Sequence, residues 1–276
     1  ANNDQGRYCK CSNGKNVKVK ITVPSVSTEL FCQSRDITKV TLDDAVFSIG
    51  AGAFYNCINL QTIEFPTDLI SIDEGAFESS GITLDALTFT GTYIGSDAFR
   101  YCSGLTGTLK LHPETDSQLS IGSSAFESTG ISALSITGEV TSIGKDAFKD
   151  CTSLAGTVKI PGTVTSFGVA FSNTRITGIT LGDGLSSIPT DAFKGISTLT
   201  GTVSFPNSVR SIGESAFEGT SITSIAFGND PSLTIINDKA FYGTPLNANG
   251  FNQIQLPSSL TSIGVSAFEN SLFSGT

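Results

Sequence analysis

Ten Ala-Phe pairs recur along this chain at intervals of 22 to 27 residues, and this period constrains the fold more than any other feature. In nine of the ten copies an isoleucine stands five residues before the phenylalanine. A unit of this length cannot bury its own apolar face, so successive copies must stack and share one core, as in a solenoid. The ten phenylalanines are Phe54, Phe77, Phe99, Phe126, Phe148, Phe171, Phe193, Phe217, Phe241 and Phe268.

Each repeat also contains an alternating apolar pair, such as Val158-Lys159-Ile160, whose period of two is typical of a short strand. The sequence therefore predicts a unit made of a strand, a turn, a second short extended piece and a helical turn. Stacking such units would place every phenylalanine in one internal column, and burial of each ring would contribute about 1.5–3 kcal/mol. The small alanine beside each ring suits a turn that neighbouring coils approach closely.

The distance from the ring to the next strand alternates between ten and eight residues through most of the chain, so the full period is two coils. Longer coils carry a Gly-Thr pair before the strand, as at Gly107-Thr108 and Gly156-Thr157, which predicts a small bulge or a widened corner there. A glycine often follows the isoleucine, and glycine commonly supplies a positive φ in turns. Because Pro189 fills that slot in one coil and cannot adopt a positive φ, one turn type cannot serve all coils.

Composition argues against several function classes. The formal net charge is −9, and the sixteen lysines and arginines are scattered, so we do not expect a surface that follows nucleic-acid phosphates. No stretch approaches the roughly 18 apolar residues of a membrane span. Phosphate-loop, dinucleotide and zinc-protease motifs are absent from the sequence, and no cofactor is expected.

The string Ser-Ile-Gly-x-x-Ala-Phe-x-x-Cys, followed by a leucine, a strand and a proline, occurs in full over residues 142–161. Over residues 37–276 the chain resembles the BspA-like class of leucine-rich repeat. The resemblance implies an α/β repeat solenoid of about ten coils. This would be a right-handed leucine-rich-repeat superhelix with a parallel sheet of short strands on one face and short helical turns. It also implies an exported protein similar to adhesins and host-contact proteins, in a class without shared catalytic residues.

Residues 1–36 are predicted to form an N-terminal cap and residues 37–276 the solenoid domain, because an end coil needs a polar cover over its open core. A disulfide from Cys32 to Cys9 or Cys11 would staple this cap and would suit an oxidising compartment. A zinc site built from the three cysteines is the alternative.

Three further cysteines, Cys57, Cys102 and Cys151, stand three residues after the ring in alternate coils, where other coils have Ser, Thr or Ile. Two coils separate their backbones by roughly 10 Å at the usual strand spacing, which is too far for a disulfide. We interpret them as small buried thiols, with a reactive or metal-binding row as the alternative.

Candidate catalytic and metal-binding groups are few. His112 is the only histidine, and a nucleophile-and-base arrangement would have to use it from an enlarged loop. Carboxylates at the coil corners, such as Asp116, lack a repeated liganding frame, which leaves calcium in a loop as an alternative. The sequence therefore predicts no catalytic residue, no metal site and no enzyme activity.

The outward residue between the two apolar residues of each strand defines the candidate partner-binding face, since solenoids customarily use such a face. We expect an exported or cell-surface adhesion or recognition module that binds an extracellular protein or glycan there. A ligand-sensing receptor ectodomain and a structural spacer in a larger surface protein are the alternatives. The face comprises Glu64, Thr88, Lys110, Ser135, Lys159, Thr180, Ser204 and Gln255.

Overall fold

The computed structural model describes residues 17–246 and 255–271, and these form a β-solenoid of about ten coils. Most coils contribute a long strand to one side and a short strand to the other, and every strand pair is parallel. The repeat architecture predicted from the Ala-Phe period is confirmed, while the right-handed sense of the superhelix stays a prediction.

The long strands carry the alternating apolar pairs, with apolar residues turned into the core and polar residues turned outward. Their outward side chains are called the long-strand face below. The long strands are β1 (Val17–Ile21), β3 (Ile37–Leu42), β5 (Thr62–Glu64), β7 (Leu84–Phe89), β9 (Leu105–Leu111), β11 (Gly130–Ile136), β13 (Ala155–Ile160), β14 (Arg175–Leu181), β16 (Thr200–Phe205) and β18 (Ser221–Phe227).

The short strands end on the isoleucine five residues before each ring, or on Val26 in the first coil. They form a six-stranded and a four-stranded sheet, which are separated at the coil where Phe167 replaces that isoleucine. The short strands are β2 (Ser25–Val26), β4 (Ser48–Ile49), β6 (Ser71–Ile72), β8 (Tyr93–Ile94), β10 (Gln118–Ile121), β12 (Glu139–Ile143), β15 (Ser187–Ile188), β17 (Ser211–Ile212), β19 (Ile235–Ile236) and β20 (Ser262–Ile263).

The phenylalanine column is confirmed, and its rings stack face to face. Consecutive centroids lie 5.1 to 5.5 Å apart except between Phe171 and Phe193, where the distance is 6.3 Å. The longer step occurs beside Phe167, a second buried ring in that coil, which lies 5.7 Å from Phe193. The phenylalanine rings of the Ala-Phe pairs from Phe54 to Phe241 are all fully buried, so the column is the centre of one continuous core.

The prediction of short helical turns is wrong, because the Ala-Phe segments are successive tight turns and the described residues contain no helix. In the first Ala-Phe coil, Gly52 and Asn56 on either side of the pair have positive φ values of 60° and 54°, which a right-handed helix does not allow. The amides of Gly52, Phe54 and Asn56 donate hydrogen bonds to carbonyls of the next coil at 2.7–2.8 Å. Alternate amides thus bond between coils, whereas a helix would keep them within its own coil.

The glycine after the isoleucine serves close approach in most coils. Gly50, Gly95, Gly122, Gly144, Gly213 and Gly264 do not have positive φ, and only Gly168 does. A Cβ added at Gly122 would lie 2.3 Å from the amide nitrogen of Ser96 in the preceding coil. The missing side chain therefore lets neighbouring backbones come into contact.

Residues 17–36 form a coil that continues the stack, since β1 pairs with β3 and β2 pairs with β4. Phe31 lies in the ring column and stacks on Phe54 at 5.3 Å. The sequence reading missed this ring because Leu30 stands where the other coils have alanine. The cap role and the division at residue 36 stay predictions.

The long-strand sheet is interrupted after every three coils in its N-terminal part and after every two coils further along. Within residues 17–246, ladder hydrogen bonds do not join β5 to β7, β11 to β13 or β14 to β16. At the three Gly-Thr junctions, Gly107-Thr108, Gly156-Thr157 and Gly201-Thr202, the register with the next strand shifts by one residue. A bulge is therefore present there, but its extra residue lies on the strand of the shorter coil and not on the longer coil that carries the Gly-Thr pair.

Replacement of Phe148 by alanine should lower the free energy of unfolding by about 3–5 kcal/mol, because this ring is fully buried between two stacked neighbours. Phe268 stacks on Phe241 near the C-terminal end of the described column and is partly exposed, so Phe268→Ala should cost much less. Urea unfolding followed by circular dichroism measures both. Equal losses would contradict the column as the central source of stability.

Gly122→Ala should lower the free energy of unfolding by about 1–3 kcal/mol, because the new methyl group must displace backbone of the preceding coil. The control is Gly195→Asn. Gly195 has φ 73° with open space around its Cβ position, and Asn56 and Asn173 occupy the equivalent site in other coils. Its effect should stay within about 0.5 kcal/mol by the same unfolding measurement. A neutral Gly122→Ala would refute the close-approach role.

Candidate functional site

The long-strand face brings most of the predicted partner-binding residues into one outward column. Lys110 is in register with Thr88 on one side and Ser135 on the other, and Lys159 is in register with Thr180. Ser204 continues the column in β16, and Gln255 is exposed beyond it outside any described strand. The interruptions of the sheet divide this column without removing it from the surface.

Glu64 differs from the rest of the column because it is paired. Its carboxylate accepts a hydrogen bond at 2.5 Å from Lys39 of the neighbouring strand β3, two residues from its register partner Thr41. The lysine lowers the pKa of Glu64 through this hydrogen bond and through its charge. Both groups are exposed, so the pair organises the surface and adds little to stability.

A second charged surface, missed by the sequence reading, lies along the Ala-Phe turns at the residue after each ring. Glu127 is nearly buried there between Arg100 and Lys149, at 3.1 and 3.6 Å. Lys194 and Glu218 form a similar pair at 3.1 Å. The pKa of Glu218 is lowered mainly by a hydrogen bond from Ser215 and, to a smaller extent, by one from Lys194. The signal in the sequence was the alternation of charge sign at this one position of the repeat.

The described residues also contain an exposed apolar row that the sequence reading missed. Val23, Phe47, Ile70 and Tyr93 belong to four consecutive coils beside the short strands, and each remains 43 to 53% exposed. Backbone hydrogen bonds from Phe47 to Pro24 and from Ile70 to Phe47 hold the row in step. The apolar pattern of the sequence does not distinguish these exposed residues from the buried residues that stand one or two positions away in the chain.

Cys102 and Cys151 are buried thiols, as predicted. Their Sγ atoms donate to the carbonyls of Phe77 and Phe126 in the preceding coils at 3.0 and 3.1 Å. Burial raises the pKa of Cys102 to about 12 and that of Cys151 to about 11. Such thiols stay protonated at neutral pH, which disfavours both nucleophilic attack and metal binding.

Threonines take the place of these cysteines in other coils and make a related bond. The hydroxyls of Thr129, Thr174, Thr220 and Thr244 each donate to the ring residue's carbonyl in their own coil at 2.7–2.9 Å. Either side chain therefore satisfies a buried polar group at this position.

Among the remaining candidates, Cys9 and Cys11 lie outside the described residues, and Cys32 is buried. The cap disulfide therefore stays a prediction. His112 is exposed at the end of β9, and its Nδ1 lies 2.7 Å from the hydroxyl of Thr137. Within residues 17–246 and 255–271, no cluster of His, Cys, Asp and Glu could hold a metal ion and no helix could cross a membrane.

The repeat also matches a known family along almost its whole length. A profile of the BspA type leucine rich repeat region, found in six copies, matches residues 4–107, 119–247 and 231–274. The chain belongs to the BspA-type leucine-rich repeat family. The resemblance carried by the Ser-Ile-Gly-x-x-Ala-Phe string is thereby confirmed.

Solved structures similar to this BspA-type protein are bacterial leucine-rich repeat proteins. A leucine-rich repeat protein from Bacteroides ovatus is 19% identical with a TM-score of 0.54, covering 92% of this chain and 72% of its own. A leucine rich cell surface protein from Faecalibacterium prausnitzii is 23% identical with a TM-score of 0.42, covering 97% and 90%. The pneumococcal vaccine antigen PcpA is 18% identical with a TM-score of 0.45, covering 91% and 68%.

At these identities the first of the three similarities supports the fold alone, and the other two carry no argument. A comparison with curated proteins found no match.

The raised thiol pKa values predict a pH dependence of stability. Because the fold holds Cys102 and Cys151 protonated, their contribution is complete below the unfolded-chain pKa of about 8.5. It should decline as the pH rises from there through about 11 and 12, the folded-state values. Urea unfolding at pH 7.5 and 10.5 should show a smaller loss for the double variant Cys102→Thr, Cys151→Thr than for the unaltered protein. An equal loss in both proteins would contradict this assignment.

Proposed function

We propose that this BspA-type repeat protein is an exported or cell-surface recognition module, which binds an extracellular protein or glycan through the long-strand face and performs no catalysis. The observation that carries the proposal is the outward column from Thr88 to Ser204, exposed along several consecutive coils over one rigid core. Extended surfaces of this kind are what stacked repeats use to hold partners.

The physical basis of such a surface is that its shape is set before any partner arrives. The rings and their aliphatic neighbours form one continuous core, so the outward side chains change position little on binding. A preorganised surface loses less conformational entropy on association than a flexible one. The long-strand face therefore favours recognition of an extended partner across several coils.

The chemistry of the titratable groups favours a binding role over an enzymatic one. Cys102 and Cys151 are buried and protonated, and Nδ1 of the exposed His112 lies 2.7 Å from the hydroxyl of Thr137. Family membership supports the surface location, since the class resembles exported contact proteins. A spacer role remains the rival, and it differs in having no saturable partner.

Bulky residues on the long-strand face should weaken binding to the partner. We expect the double variant Thr180→Tyr, Ser204→Tyr to lose at least about 1–2 kcal/mol of binding free energy, because both side chains are exposed in the column. The measurement is saturable binding to arrays of purified extracellular proteins and glycans. The matched control, Thr152→Tyr with Ser197→Tyr, places two tyrosines at exposed turn positions.

Retention of full affinity by the face variant, with loss in the turn control, would move the partner site away from the long-strand face. Absence of saturable binding to every array member would favour the spacer.

A further inference from the structure

The long-strand face from β7 to β18 is the opposite of the whole protein in charge. The chain has a net charge of −9, yet the outward residue between the two apolar residues of each of these seven strands is never a carboxylate. The charged residues of this column are Lys110 and Lys159, and His112 follows at the end of β9. The other residues of this column are threonine, serine and alanine, while the exposed Asp85 and Arg175 lie near the start of β7 and β14.

Nearby carboxylates lie at the margins of this surface. Asp85 stands at the register shift of β7 and accepts a hydrogen bond from Thr106, while Glu114, Glu139 and Asp183 lie in or beside the connecting segments. Glu64 belongs to the preceding part of the sheet, across the β5–β7 interruption, and is paired with Lys39. The two lysines are therefore left without an opposing charge on the face itself.

Within the described residues, neither Lys110 nor Lys159 forms an ion pair or a side-chain hydrogen bond, although other lysines such as Lys39, Lys149 and Lys194 do. Ser135 lies in the coil between them. The ladder is interrupted between β11 and β13, but the ring column continues through these coils in steps of 5.5 and 5.4 Å, so the two lysine backbones lie roughly 10–11 Å apart. Fixed, exposed and unpaired cations on a carboxylate-free column attract an anionic partner.

We propose that this part of the face binds an acidic polysaccharide whose carboxylates pair with Lys110 and Lys159. This proposal rests on the proposed function. In a polysaccharide of alternating neutral sugars and uronates, the carboxylates recur along the chain at a distance comparable to the lysine separation. The hydroxyls of Thr88, Ser135 and Thr180 beside the lysines match the hydroxyl groups of the intervening sugars as donors and acceptors.

Two alternatives fit the surface less well. The outward positions from β7 to β18 have no aromatic ring, which a neutral glycan would use as a stacking platform. An acidic peptide would gain most of its affinity from an exposed sheet edge or from pockets for anchoring side chains, and this flat column of small residues supplies neither.

The test is the affinity of the intact chain for three anionic polymers, hyaluronan, polygalacturonate and heparin, by biolayer interferometry at low and high salt. Dextran is the uncharged control and poly-glutamate represents an acidic peptide. The double variant Lys110→Glu, Lys159→Glu should bind the uronate polymers about tenfold or more weakly, and added salt should weaken the unaltered protein in the same direction.

The matched control is Lys145→Glu with Lys239→Glu, which makes the same change in net charge at exposed turn positions. Its affinity should stay within about twofold of the unaltered protein. Binding that falls equally in both variants would reduce the effect to net charge and overturn the proposal. Preference for poly-glutamate, or no binding to any of the three polysaccharides, would overturn it as well.

These failures are separable from failure of the proposed function. Saturable binding of some other array member that Thr180→Tyr, Ser204→Tyr abolishes would leave the long-strand face as a recognition surface while removing the acidic polysaccharide as its partner.

Discussion

Ring-on-ring stacking of phenylalanine is the interaction on which the rest of this solenoid depends. One ring per coil at 5.1 to 5.5 Å fixes the rise of the stack close to the spacing of parallel strands, so core packing and backbone hydrogen bonding are satisfied together. Where Phe167 adds a second ring, the step lengthens to 6.3 Å and the short-strand sheet divides. At this coil the wider ring spacing and the pairing of short strands are incompatible, and the strand pairing is what is lost.

The small rise explains the composition of the turns. Coils this close leave no room for a Cβ at Gly122 or Gly144, and the adjacent alanines are fully buried against neighbouring coils. The same proximity lets alternate turn amides bond across coils, which requires left-handed residues beside each ring, as at Asp146 and Asp150. A helix at this edge would satisfy the same amides internally and would leave the coils joined by side chains alone.

Because the core supplies the stability, the outward positions are free to carry other chemistry, and they do so unevenly. Paired charges such as Arg100 with Glu127 lie along the turns, while the exposed apolar row of Phe47 and Ile70 lies beside the short strands. In the outward column between β7 and β18, the charged residues are the unpaired Lys110 and Lys159. The chain is acidic overall, but its long-strand face is cationic. This difference in charge between faces connects the fold to a recognition role.

The period of the Ala-Phe pairs determined the stacked coils, the buried ring column and the outward position of residues such as Lys110 and Thr180, because a short unit with one apolar face has no other way to bury it. The sequence reading could not assign the turns, since Gly, Asp, Ser and Lys all occupy the left-handed position before the Ala-Phe pair. Only the tertiary structure decided that these turns bond between coils, that Phe31 joins the column, and that the sheet is interrupted every second coil over part of its length. Each of these depends on the distance between neighbouring coils, which is a property of the stack and is not encoded in any single repeat.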